Sequence, residues 1–291
     1  MYSNLNKTNK MKLKLIIPIF YILFSLTACS SDDVNDPVLN EIEGLSKVQE
    51  FSNDTHTIEV FNNSGSFSTG YNALSLRIKD NNSNNYIENA QLSWNPMMKM
   101  DMMEHSAPKS SITKAPNKTT VYEGYIIFQM TELDGSGWSL NFNYTINDIA
   151  YSASYEIKVL QTSTQNVSSF KGADNLNYVM AFIGPNKPKI GVNKLEVALY
   201  QMVNMMEFKE VTNYKITLDP RMPGMGNHSS PNNTDLLYNT VDKIYQADLS
   251  LTMTGYWVLN LKLYNAAGEL LKGEDVTPEH LKSTLNLELD F

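Results

Sequence analysis

Methionine and histidine are concentrated in two stretches of this sequence. The first reads Trp94-Asn95-Pro96-Met97-Met98-Lys99-Met100-Asp101-Met102-Met103-Glu104-His105-Ser106-Ala107-Pro108, the second Pro220-Arg221-Met222-Pro223-Gly224-Met225-Gly226-Asn227-His228-Ser229-Ser230-Pro231. Thioether sulfur and imidazole nitrogen suit Cu(I), and they persist in an oxidising compartment where a thiolate would be lost. Copper is therefore the cofactor to expect. Its candidate ligands are Met97, Met98, Met100, Met102, Met103 and His105 in the first stretch and Met222, Met225 and His228 in the second. Met130 and Met253 end apolar strand patterns and either lend a further sulfur or pack in a core. Zinc fits less well, because one histidine with Asp101 or Glu104 is a thin donor set. Two plainer readings stay open. Methionine fills irregular gaps over a core, which suits the sparse second stretch. Five methionines within seven residues, beside Lys99, Asp101 and Glu104, also make an apolar contact surface for another envelope protein. Met202, Met205 and Met206 read as packing in an insertion, and His56 and His280 as isolated surface or edge residues.

The elements that must position these residues are short alternating strands divided by Asn, Gly, Ser and Pro clusters. Tyr122, Gly124, Ile126, Phe128 and Met130 share one strand face, and Trp138, Leu140, Phe142 and Tyr144 share the next. Asp134-Gly135-Ser136-Gly137 between them reads as the turn of a hairpin. The pattern then recurs in Tyr245, Ala247, Leu249, Leu251 and Met253, followed by Trp257, Leu259, Leu261 and Leu263. His105 to Tyr122 and His228 to Tyr245 are both 17 residues apart, and His105 to Met130 and His228 to Met253 are both 25 apart. Gly70-Tyr71-Asn72-Ala73-Leu74 corresponds to Gly191-Val192-Asn193-Lys194-Leu195, and Pro96 to Pro220 after an insertion of 3 residues in the second copy. An all-β chain of two tandem immunoglobulin-like antiparallel β-sandwiches follows, placed at 47–162 and 173–291 with the boundary between Gln161 and Asn175. One larger barrel is the alternative. Both methionine stretches fall between the third and fourth strands of their copies, as long loops.

The N-terminus is set apart from the fold. Lys12 and Lys14 precede an apolar run from Leu15 to Leu26 that ends in Leu26-Thr27-Ala28-Cys29, the pattern of a lipoprotein signal peptide over 1–28. A transmembrane anchor is the competing reading, but the run is shorter than the ~20 residues that span a bilayer. Acylated Cys29 is then the membrane attachment, and residues 29–46 a tether. Ser30 fits outer-membrane retention, and Ser31-Asp32-Asp33 resembles the acidic signal of Bacteroidetes surface lipoproteins. Cys29 is the chain's 1 cysteine, so lipidation leaves no thiol for a disulfide or for thiolate chemistry. A net charge of −8 disfavours nucleic acid, whose phosphates need a basic face. No nucleophile elbow, zinc-protease motif or phosphate loop is present, and the chain is not expected to be an enzyme.

Pro220-x-Met222-Pro223-Gly224-Met225-Gly226-x-His228-Ser229, the strand ending in Met253 and Gly255-Tyr256-Trp257 together resemble the YtkA-like domain, related to FixH-like proteins. The first copy keeps Trp94, Pro96, Met98, His105-Ser106, Pro108, Tyr122-x-Gly124, Phe128-Gln129-Met130 and Gly137-Trp138, but replaces Met-Pro-Gly-Met with its Met-rich run. The resemblance implies an envelope β-sandwich with a Met/His loop and an association with copper handling. Copper handling or delivery in the envelope is thus one expected function, and a non-enzymatic interaction or adhesion module is the other.

Overall fold

Residues that alternate apolar and polar with period two close a core between two sheets, and the computed structural model shows two such cores in one chain. It describes residues 40–132 and 136–291. The signal peptide, Cys29 and the first part of the expected tether lie outside the described residues, as do Asp134 and Gly135 of the expected turn. The first sandwich comprises β1 (Ser46–Ser52), β2 (His56–Asn62), β3 (Phe67–Ser68), β4 (Gly70–Asp80), β5 (Gln91–Lys99), β6 (Glu104–Ser106), β7 (Thr113–Lys114), β8 (Tyr122–Phe128), β9 (Gly137–Ile146), β10 (Ile149–Ile157) and β11 (Val159–Leu160). One sheet is ordered β1-β2-β4-β8-β7 and the other β10-β9-β5-β6, with β11 parallel to β3. With β2, β4, β8 and β7 as strands A, B, E and D, and β5, β9 and β10 as C, F and G, this is the immunoglobulin order.

The second sandwich comprises β12 (Val167–Lys171), β13 (Asn177–Gly184), β14 (Gly191–Asn204), β15 (Glu207–Glu210), β16 (Lys215–Met222), β17 (His228–Ser229), β18 (Leu237–Asn239), β19 (Ile244–Leu251), β20 (Trp257–Tyr264), β21 (Leu270–Lys272) and β22 (Asn286–Leu289). Its sheets run β12-β13-β14-β19-β18, with β15 also on β14, and β17-β16-β20-β21, with β22 also on β20. The plan is that of the first copy. The Gly-x-Asn units show why the sequence repeats. Asn72 accepts the Ser68 amide and donates to the Ser68 and Gly70 carbonyls, and Asn193 does the same with Lys189 and Gly191. Each buried amide satisfies the backbone where strand B begins, next to a glycine at φ 88° or 109° that an L side chain would strain.

Tyr122, Ile126, Phe128, Trp138, Leu140, Phe142 and Tyr144 enter the first core, and Tyr245, Leu249, Leu251, Trp257, Leu259, Leu261 and Leu263 enter the second. The hairpin expected between the two patterned strands does not form. β8 pairs with β4 and β7, whereas β9 pairs with β5 and β10 in the opposite sheet. Period two reports which side chains face the core, and a strand in the facing sheet meets that condition as well as a hairpin partner does. Phe128 and Trp138 accordingly meet across the core, edge to face at 4.9 Å.

Two boundaries also differ from the expected ones. The second sandwich starts with β12 at Val167, ahead of 173, because that strand pairs with β13. The end of the expected tether is part of the fold. Residues 41–44 turn before β1, and the Glu41 carboxylate accepts the Thr119 and Thr120 amides and hydroxyls. Burial opposes ionisation there, but these hydrogen bonds outweigh it and bring Glu41 down to about 2.

The copies pack side by side through the outer faces of their A-B-E sheets. Ile127 of β8 meets Val179, Ala181, Ala198 and Tyr200 of β13 and β14, flanked by Tyr71, Tyr125 and Phe208. The Tyr125 and Tyr200 hydroxyls bond to each other, and Asn166 donates to the Thr69 carbonyl at 2.8 Å. Residues 40–291 are consequently one compact unit with three apolar clusters.

Candidate functional site

The first methionine stretch is a β-hairpin rather than a long loop. β5 carries Met97 and Met98, a tight turn closed by the Met100 amide on the Met103 carbonyl follows, and β6 returns with His105. Met97 pairs with Ser106, Met98 with His105 and Lys99 with Glu104. Met98 also stands opposite Trp138 of β9, so Trp138, Met98 and His105 lie abreast on three adjacent strands. Met98 and Trp138 are core residues, and Met100 and Met130 pack against that core from its margin. Met97 accepts the Asn95 side-chain amide on its sulfur at 3.0 Å. Met102 and Met103, by contrast, are 95% and 49% exposed. One stretch thus divides into a structural part and a presented part.

His105 is buried, with its ring edge-on to Trp138 at 5.4 Å between centroids. Its Nδ1 lies 2.8 Å from the Ser106 carbonyl oxygen. A carbonyl only accepts, so Nδ1 carries a proton, and in the neutral ring Nε2 then holds the lone pair. Nε2 is not among the sealed, unpartnered polar atoms of the described residues, which are Arg77 Nε, Gln129 Oε1 and Asn286 Oδ1. A histidine tied to a carbonyl through one nitrogen with the other available is the arrangement metal-binding histidines use.

The second stretch repeats the hairpin with a different tip. Met222 on β16 pairs with His228 on β17 and is buried against the second core, which Met253 joins at its margin. Trp257 donates to the Met253 carbonyl at 3.1 Å as Trp138 donates to that of Met130 at 2.9 Å. Met225 and His228 are exposed, and Pro223–Met225 form a 3-10 turn ended by Gly226 in the left-handed region. The eleven expected ligands therefore fall into two separate groups, each split between core and surface.

The insertion in the second copy supplies what the sequence pattern did not reveal. It lengthens the β14–β15 hairpin, whose tip carries Met205 and Met206, each 46% exposed. The Ser106 amide on β6 donates to the Met205 carbonyl at 2.8 Å. This one bond sets the tip of the second copy against the free edge of the first copy's methionine hairpin. Met102, Met103, Met205 and Met206 are thus surface methionines carried by the two hairpins that this bond joins. The available signal was the coincidence of the insertion with a third methionine cluster. A second missed signal was the unbroken apolar runs Tyr125–Phe128 and Tyr178–Ile183, which mark strands buried on both faces.

His56 is buried rather than exposed, set edge-on to Tyr151 at 4.7 Å, and burial lowers its pKa. Lys109 Nζ lies 3.3 Å from Ser106 Oγ, and burial lowers its pKa as well. That pair resembles a serine-lysine dyad in distance only. Ser106 is fully buried and donates to Pro96 O and Asn95 Oδ1, so no substrate reaches its oxygen. Among the described residues no three His, Cys, Asp or Glu side chains gather as a metal site, and no helix is long and apolar enough to cross a membrane.

The fold and this corner together define a class, a tandem pair of immunoglobulin-like β-sandwiches carrying one hairpin site per copy. No family model matches the chain, and no curated protein matches it. Solved structures similar to it include an adhesin and a titin tandem. One is the Escherichia coli adhesin FdeC, at 13% identity over 75% of this chain and 72% of that one, with a TM-score of 0.21. The other is a chimeric titin Z1Z2-Z1Z2 tandem, at 12% identity over 77% of this chain and 93% of that one, with a TM-score of 0.17. At such TM-scores neither likeness bears on function, and the immunoglobulin topology rests on the strand order above.

Proposed function

We propose that this chain is a non-enzymatic binding module of the cell envelope, a lipoprotein held through Cys29, whose contact surface is the methionine corner shared by its two copies. The observation that carries this reading is the Ser106–Met205 bond, which sets the exposed Met205–Met206 tip against the strand that follows exposed Met102 and Met103. Methionine is unbranched and polarizable, and exposed clusters of it adapt to a partner's apolar surface. A photo-crosslinking residue at Met102 or Met206 should capture an envelope protein in living cells, while one at Leu281, exposed elsewhere, should not. Equal capture at all three positions, or none, refutes a contact surface here.

The His105 tautomer favours a second reading, soft-metal binding for copper handling or delivery, in keeping with the YtkA-like resemblance. Here His105 Nε2 and neighbouring thioethers of the first hairpin hold Cu(I). Competition with a chromophoric chelator under reducing conditions tests it. Replacing Met97, Met98, Met100, Met102 and Met103 by Leu keeps apolar bulk and removes sulfur. Copper uptake by the parent chain that disappears in the Leu variant supports ligation. No uptake by the parent chain leaves the corner to the partner-contact reading.

A further inference from the structure

Strand β10 ends its sheet without a neighbouring strand among the described residues. β9 and β10 are joined by Asn147 and Asp148, both at positive φ (49° and 65°), the two-residue turn that closes on Ile146 and Ile149. In such a hairpin the closing pair exchanges both backbone hydrogen bonds, and alternate residues follow suit. Ile149, Tyr151, Ala153, Tyr155 and Ile157 therefore turn their backbone groups toward β9. Ala150, Ser152, Ser154 and Glu156 turn theirs to the open side.

The corresponding edge of the second sandwich is closed. There strand G is divided into β21 and β22, and residues just before and just after β12 cover the two pieces. The Ala173 amide donates to the Leu271 carbonyl and the Glu288 amide to the Gln165 carbonyl, each at 2.8 Å. Among the described residues the one comparable contact along β10 is Gln49 Nε2 on the Glu156 carbonyl at 3.3 Å. β10 runs nine residues without a register shift and contains no proline, no lysine and one acid, Glu156. Long flat edges lacking those protections are templates for another strand.

The sequence of the edge names its partner. An antiparallel self-pairing about Ala153 sets Ser152 against Ser154, Tyr151 against Tyr155, Ala150 against Glu156 and Ile149 against Ile157. No like charges oppose each other, residues whose backbone faces β9 meet one another, and the open-side residues meet open-side residues as hydrogen-bonded pairs. We propose that β10 is a dimerisation edge, through which a second copy of this chain extends the β10-β9-β5-β6 sheet across a two-fold axis at Ala153. A two-fold contact of this kind is self-closing, so it caps both edges at once and does not grow into a fibre.

The test uses residues 40–291, which form one compact unit and contain no cysteine. Ala153→Cys places one thiol at the axis in a non-hydrogen-bonded pair, where facing Cβ atoms are ~4.5–5.5 Å apart. Under mild oxidation it should form a disulfide dimer about tenfold faster than Ala267→Cys, an exposed turn position that reports random collision. Ser152→Pro in the same background should return the rate to that of Ala267→Cys. Its amide faces the open side, so no β9 bond is lost and Tm should match that of the parent at concentrations where the parent is monomeric. Sedimentation of the cysteine-free chain should show a dimer that Ser152→Pro dissociates. A rate for Ala153→Cys no greater than for Ala267→Cys overturns the proposal, and so does a dimer insensitive to Ser152→Pro. A monomer that instead takes up an extended peptide of another protein on this edge overturns it too.

Discussion

The two hairpin corners share one plan and are alike in one half only. In both, a methionine of strand C is buried beside a core tryptophan of strand F, and that tryptophan bonds to the carbonyl of a methionine following strand E. The histidines differ. His105 is buried on Trp138 with its tautomer set by Ser106, whereas His228 is exposed. The tips differ more, since one is a methionine run facing Met205 and the other a Pro-Gly turn. Residues that close a sandwich keep their spacing because a lost core side chain costs several kcal/mol, while tip residues are free to change what they touch.

The largest effect should test the shared half. Trp138→Ala and Trp257→Ala each remove a fully buried ring and should each lower stability by about 3–5 kcal/mol, read from urea unfolding. Nearly equal losses mean the tryptophans do the same work in both copies. A loss confined to Trp257→Ala would show that the first corner is shaped for binding at the expense of packing.

A smaller effect should divide the copies. His105→Ala removes an edge-on aromatic contact and leaves the Ser106 carbonyl without its imidazole donor, for a cost of about 1–2 kcal/mol. His228→Ala changes an exposed side chain and should stay within about 0.5 kcal/mol of the parent. The shift in urea midpoint measures both. Equal shifts would mean the burial of His105 contributes nothing, and the distinction between the corners would then rest on the tips alone.

How far the sequence carried depended on what each residue answers to. The repeat, the immunoglobulin class and the inward faces were readable because core closure fixes apolar spacing and the Gly-x-Asn unit recurs with its hydrogen bonds. The crossing from β8 to β9 was not, since alternation is blind to which sheet a strand joins. The hairpin form of the methionine stretches was hidden by Pro96 and Pro220, which read as loop residues. Both in fact occupy strands, opposite Leu140 and Leu259. Joining Met205 to Ser106 takes the packing of one sandwich on the other, and no local pattern encodes that. The burial of His105 likewise depends on Trp138, 33 positions away in the chain.

The least effect, and the last way to separate the copies, lies where the chain enters each sandwich. The first sandwich is latched there by Glu41, through the amides and hydroxyls of Thr119 and Thr120. The second is latched by Glu288, which accepts the Gln165 amide at 2.8 Å and pairs with Lys282 at 2.7 Å. Burial works against both carboxylates, but their partners outweigh it, so Glu288 is held below the ordinary carboxylate value and Glu41 falls from 4.5 to about 2. A carboxylate whose pKa is depressed by folding stabilises the fold above its unfolded value and loses that contribution as pH falls through its folded value. The first latch should therefore be complete above pH 4.5 and released as pH falls toward 2. Solvent screening around Glu41 limits its share to about 1 kcal/mol or less. Glu41→Gln should flatten the fall in stability across that interval while leaving stability near neutral pH lower by the same small amount. Amide exchange at Thr119 and Thr120 provides the local readout. If those amides stay protected below pH 2 in the parent chain, the carboxylate is not what holds the start of the first sandwich, and the two latches differ in kind rather than in strength.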